Sequence, residues 1–168
     1  MIRYGLIFTL LALLAVAGCS SDSGFHWGST YRTDIHSVCV PIFTTRDYHR
    51  NVEFQLTDAL DKAIEEFTPY KIEPRERADT ILEGEIVSIR PLTLSLNPDT
   101  ATPQEQSYTV TVNFTWKDLR TGKILVSRSN FEQTSTYFAT LGESQFVASQ
   151  DAAQRLAMGI VHEMEAPW

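Results

Sequence analysis

A chain of 168 residues with 43% hydrophobic and 21% charged residues supports one domain with a packed core and excludes both a disordered chain and two comfortable domains. With 14 basic and 21 acidic residues it carries a net charge of -7, which argues against nucleic acid as a partner. Losing residues 1–18, which hold one of those basic residues, would leave 13 against 21.

Arg3 gives a short positive n-region, and Leu6 to Val16 is an apolar stretch of secretory-signal length. It falls short of the roughly 20 apolar residues a membrane span needs. It ends in Val16-Ala17-Gly18-Cys19, followed by Ser20-Ser21-Asp22-Ser23-Gly24. This resembles a bacterial lipobox, in which the Cys becomes lipidated and N-terminal after cleavage. The expected organisation is a lipoprotein signal peptide over 1–18, a lipidated Cys19 with a tether over 19–34, and a single α/β domain over 35–168. Each buried lipid CH₂ contributes ~0.8 kcal/mol, so several acyl chains anchor stably. Ser20 after the Cys resembles lipoproteins sent on to the outer membrane, lipid-anchored on its periplasmic side. Acylation of Cys19 would leave Cys39 without an intrachain partner, which rules out a disulfide framework.

Ser37 to Phe43 (S-V-C-V-P-I-F) reads as a first strand. Pro41 cannot donate to a ladder, so the strand lies at an edge or carries the Pro outward at its end. In its apolar setting Cys39 reads as an inert small hydrophobe. Asn51 to Phe67 reads as a helix with Val52, Leu56, Ala59, Leu60, Ala63, Ile64 and Phe67 on one stripe. Asn51 is placed to cap it, and Thr68-Pro69 stops it. Asp61, Glu65 and Glu66 read as its wetted face.

Tyr70 to Pro74 is a short strand. Thr80 to Ile89 is a long one, with Leu82, Gly84 and Ile86 on one face and Glu83 and Glu85 on the other. Arg90-Pro91 is expected to disturb the ladder before Leu92, Leu94 and Leu96 resume the alternation, and Asn97 to Gln106 reads as a polar loop. From Ser107 to Lys117, Tyr108, Val110, Val112, Phe114 and Trp116 alternate with polar residues, the signature of a half-buried strand. Asp118 to Lys123 forms a hairpin with Gly122 free to take positive φ. The returning strand, Ile124 to about Tyr137, has a broken alternation that points to a bulge. Ser144 to Met164 closes the chain as a helix with Phe146, Ala153, Leu156, Ala157, Ile160, Val161 and Met164 on its stripe, capped by Ser144 or Ser149.

The order is β-α-β-β-β-β-α. The expected class is α+β: a two-layer sandwich in which two amphipathic helices cover one face of a mostly antiparallel four-stranded sheet. The other face would carry Glu83, Glu85, Thr109, Thr111, Thr115 and Arg128.

Chemistry is sparse. The four histidines are scattered and His36 with Cys39 lacks the further ligands zinc requires, so no metal site is assigned. Ser144 lies in G-E-S-Q-F, which lacks the strand–elbow–helix pattern of a nucleophile elbow, and no Gly-rich phosphate loop occurs. No catalytic residue and no cofactor are assigned. Lys117, Arg120 and Lys123 crowd the hairpin, and Arg128 follows on the returning strand. Such a cluster suits glycolipid phosphates, or else serves solubility and edge protection.

The lipobox, Gly24-Phe25-His26-Trp27-Gly28, the strand V-C-V-P-I-F, A-D-T-I-L-E-G-E-I at Ala78 to Ile86, and the meander with D-L-R-T-G-K together resemble the LptE family of lipopolysaccharide-assembly lipoproteins. The likeness is to divergent members outside the enteric bacteria. It implies an outer-membrane lipoprotein that plugs and helps assemble the LptD β-barrel and binds lipopolysaccharide during delivery, without catalysis or cofactor. The lipopolysaccharide contacts of enteric members match no motif here, so none is carried over. The alternative is an LpoB-like regulator of a cell-wall synthase, which needs a long tether. Only about 18 residues separate Cys19 from the first strand, reaching at most ~60 Å.

Overall fold

A computed structural model of the chain describes residues 30–46 and 51–165. The signal peptide, Cys19 and most of the tether, with His26, His49 and Arg50, lie outside the described residues.

The elements follow in the order β1 (Ser37–Cys39), β2 (Thr44–Thr45), α1 (Val52–Phe67), β3 (Lys71–Ile72), β4 (Thr80–Leu96), β5 (Pro103–Asp118), β6 (Ile124–Phe138), a 3₁₀ turn (Ala139–Leu141) and α2 (Gln145–Glu163). The α+β class and the two-helix layer stand, but the sheet has six strands in the order β3-β1-β4-β5-β6, with β2 also on β4. It is mixed rather than mostly antiparallel with four strands. β4, β5 and β6 form an antiparallel meander, while β1 runs parallel to both β3 and β4, and β2 parallel to β4. The single strand expected over Ser37 to Phe43 shortens to Ser37–Cys39 ahead of Pro41, and a second short strand, Thr44–Thr45, follows it along β4. β1 is not an edge strand, because β3 flanks it.

The even-numbered face of β5 is the floor of the core. Tyr108, Val110, Val112, Phe114 and Trp116 are all at most 2% exposed. Leu56, Leu60 and Ile64 of α1 and Leu156, Ile160 and Val161 of α2 close over them in one cluster. The two helix ends expected to join this core do not: Phe67 is 47% exposed and Phe146 60%. Ser144 caps α2, its hydroxyl accepting from Val147 N–H at 3.4 Å. Ser149 instead lies inside the helix and donates to Gln55 Oε1 at 2.9 Å, tying the two helices together. Asn51 holds the N-cap position of α1 with φ of 75°, and its side chain makes no capping bond.

Arg90-Pro91 does not interrupt the ladder: Arg90 pairs with Thr109 and Pro91 with Tyr108. The irregularities lie at Ile86/Ser88 and around Thr93 to Leu96. The loop is shorter than Asn97 to Gln106, because β5 already begins at Pro103. The bulge expected in β6 sits between Arg128 and Phe131. There Asn130 takes φ of 54° and its N–H donates to Asn113 Oδ1 at 2.8 Å.

Candidate functional site: the open sheet face

With both helices on one side, the other face of the meander has no second layer among the described residues. It carries Thr109, Thr111, Asn113, Thr115 and Lys117 from β5, with Glu83 and Glu85 of β4 and Ser127, Glu132 and Thr134 of β6 beside them in register. Cross-strand hydroxyl pairs bridge it: Thr109 to Thr134 at 2.8 Å and Thr115 to Ser127 at 3.2 Å. Thr111 is 6% exposed, and its hydroxyl has no hydrogen-bond partner among the described residues. A shallow groove of ≈ 460 Å³ runs between the β1–β2 connection at Pro41, Ile42 and Thr44 and the strands at Glu83, Thr115 and Ser127.

Charges on this face are largely matched. Lys117 Nζ lies 2.9 Å from Glu83 Oε2 and Arg75 Nη1 3.3 Å from Glu83 Oε1. The bond from Lys117 is the main reason the Glu83 carboxyl sits below the usual range; burial opposes it and Arg75 adds to it. Arg46 Nε meets Glu85 Oε1 at 2.6 Å, and Arg90 Nη2 meets Glu132 Oε2 at 3.5 Å.

The four basic residues of the hairpin cluster therefore divide. Lys117 is on the open face and bonded to Glu83. Arg120 and Lys123 are exposed on the hairpin, and Lys123 has no ion pair among the described residues. The turn beneath them is built by Asp118, whose Oδ1 accepts from the N–H groups of Arg120 and Thr121, both at 2.8 Å. Arg128 is not on the open face. It opposes Phe114, a core-facing residue, and its Nη2 reaches Glu163 of α2 at 2.6 Å. The bulge at Asn130 shifts the parity that the sequence suggests.

The A-D-T-I-L-E-G-E-I stretch is architectural. Asp79 Oδ2 accepts from the N–H groups of His36 and Ser37 at 2.9 and 3.1 Å. Those bonds, the one from His36 first, hold its carboxyl below the usual range. Thr80 accepts from Trp116 Nε1 at 3.0 Å and donates to Ser37 O at 3.0 Å, linking β5, β4 and β1 inside the core.

One residue departs from the sequence reading. Asp61 is half-buried rather than wetted: Oδ1 has no partner among the described residues, and burial, then Glu65 and Asp58, push its pKa up to about 6. Cys39 is half-buried and burial raises its thiol pKa, which makes it a poor nucleophile. The sequence does not show the Arg46–Glu85 and Lys117–Glu83 pairs because both depend on strand register. Among the described residues, no His, Cys, Asp and Glu cluster fits a metal ion, and no helix is long and apolar enough to cross a membrane.

The LptE family model, described as lipopolysaccharide-assembly, matches residues 35–164. No protein with a curated description matches the chain. Among solved structures the chain is similar to the hypothetical protein CT253 from Chlamydia trachomatis, at 10% identity and TM-score 0.53 over 76% of this chain and 94% of that one. It is also similar to the PelC dodecamer from Paraburkholderia phytofirmans, at 14% identity and TM-score 0.52 over 79% of this chain and 89% of that one. At such identities these likenesses establish the fold and nothing further. The family match, by contrast, runs from the residues that lead into β1 to the last turn of α2, and on it the chain belongs to the LptE family of lipopolysaccharide-assembly proteins.

Proposed function

We propose that this protein is a membrane-associated, non-enzymatic lipoprotein, anchored through Cys19 to the periplasmic side of the outer membrane, that plugs and helps assemble an LptD-type β-barrel. The observation that carries this reading is the uncovered sheet face. It is a surface of threonine and serine hydroxyls whose carboxylates are matched by Lys117, Arg75, Arg46 and Arg90. The wide lumen of a large outer-membrane barrel is polar and wet. A face with matched charge and many hydroxyls can exchange water for such a wall without stranding an ion. Family membership supports the lipopolysaccharide assignment, and the exposed pair Arg120 and Lys123 is the proposed contact for its phosphates.

Affinity purification of the full chain from outer membranes tests the reading. The expected result is co-recovery of an export-type β-barrel, lost for Thr134→Arg on the open face and for Cys19→Ala. Recovery of a cell-wall synthase instead of a barrel overturns it.

A further inference from the structure

The far end of the meander outruns its helical cover. The groove at the helix N-termini is lined by Asn51, Val52, Gln145 and Phe146 together with Tyr108 of β5, and Tyr108 pairs with Pro91 of β4. Strand β4 continues through Leu92 to Leu96, about 17 Å further at the rise of an extended chain. Its leucines are open to solvent: Leu92 is 62% exposed, Leu94 48% and Leu96 55%. Phe138 at 40% and Leu141 at 76% lie at the same end.

The backbone there is open too. On the side of β4 away from β5, β1 covers Thr80 and Ile81, and β2 covers Glu85 and Ile86. Among the described residues nothing pairs with Leu92 to Leu96 on that side. Proteins blunt exposed edges with charge, Pro or bulges. Pro91 guards the start of this one and register shifts fall at Thr93/Ser95 and Ser95/Leu96, but the five residues beyond Pro91 carry no charge, only leucine, threonine and serine. An apolar edge of that length invites an added strand, whose backbone supplies affinity and whose alternate side chains supply specificity.

The electrostatics of this end narrow the occupant. Glu105 pairs with Ser95, Glu143 accepts from Phe138 N–H at this end and Asp99 sits in the turn that follows β4, while Arg90 is already tied to Glu132. A second copy would bring the same carboxylates, and an anionic lipid surface would be repelled by them. We propose that β4 from Leu92 to Leu96 is a strand-addition site for an extended segment of the partner barrel, apolar at alternate positions and flanked by Lys or Arg. This rests on the plug reading above for the owner of the segment, and on the edge itself for its chemistry.

The test uses the full lipidated chain in native outer membranes, with a photo-crosslinking amino acid placed at Leu94 or at Thr134, which is exposed on the open face. The inference expects barrel adducts from both sites, with the Leu94 adduct mapping to an apolar, basic-flanked segment. It also expects Leu94→Asp, with melting temperature checked, and the double change Asp99→Lys with Glu105→Lys each to lower recovered barrel about tenfold. Adducts from Thr134 alone overturn the strand-addition site and leave the plug standing. Leu94 adducts to lipid or to a second copy also overturn it. Adducts from neither site overturn both readings.

Discussion

The ring of Phe43 occupies the space a side chain on residue 84 would take. A Cβ placed on Gly84 would lie 2.0 Å from Phe43 Cε1 and 2.6 Å from Cδ1. Phe43 is 2% exposed, and its backbone N–H donates to Thr57 of α1 at 3.3 Å, so the ring is buried and its backbone is tied to the helix. The glycine in L-E-G-E-I is thus a packing requirement, not a turn. Gly84→Ala should destabilise by about 1–3 kcal/mol or more through overpacking. Urea denaturation would read this, and Phe43→Leu in the same chain should return part of the loss as a coupling between the two sites.

A second test concerns Thr80. Its hydroxyl serves Trp116 Nε1 and Ser37 O at once, and Trp116 and Thr80 are both 0% exposed. Thr80→Val keeps the shape and strands both partners, which should cost about 1–3 kcal/mol. Thr80→Ser keeps the hydroxyl and should cost clearly less. A larger loss from Thr80→Ser than from Thr80→Val, measured by chemical denaturation, would assign the role to the methyl group instead.

Much of this architecture is written locally and some of it is not. Strict alternation from Tyr108 to Trp116 identifies the core floor because period two leaves no other face for five large side chains. The helix stripes are legible for the same kind of reason, except at their ends. Phe67 and Phe146 keep helical phase with the core yet stay exposed, which periodicity alone cannot reveal. Strand β2 is two threonines and has no pattern to read. On the candidate face, Lys117 was visible as a cation, but its bond to Glu83, 34 positions away, depends on register. Alternation along the returning strand puts Arg128 on the open face, but the bulge resets parity and turns it to the helix side.

Asp61 gives a pH prediction. Its pKa rises from 3.8 in the unfolded chain to about 6 in the folded one, chiefly through burial. Folding therefore takes up a proton between those values. The stability this contributes is fully present below pH 3.8 and is lost as pH rises through about 6. Asp61→Asn removes the cost of holding a half-buried charge. At pH 7.5 the variant should be more stable by about 1 kcal/mol, discounted for solvent screening, or roughly 2–4 °C. The advantage should shrink as the buffer is acidified and vanish near pH 4. Thermal melts at several pH values check it, and a constant difference across the range would refute it.

The hairpin cations yield the last prediction, because the structure ranks them. Lys117 and Arg128 already meet carboxylates at 2.9 and 2.6 Å, whereas Arg120 and Lys123 face solvent. If the cluster holds phosphates of a glycolipid, Arg120→Ala with Lys123→Ala should weaken binding about tenfold, as loss of two charge-assisted contacts would. Arg128→Ala should leave affinity within about twofold, since that side chain is directed to α2 and its exposed pair contributes little. Glu83→Gln should act in the opposite sense: it releases both Lys117 and Arg75, adds a net positive charge to the face, and should tighten binding. All of these effects should fade with added salt, since the Debye length falls to about 3 Å at 1 M. Titration of phosphorylated and dephosphorylated glycolipid into each variant separates charge recognition from acyl-chain adsorption. A loss for Arg128→Ala matching that for the hairpin pair would move the contact off the hairpin and onto the helix side of the sheet.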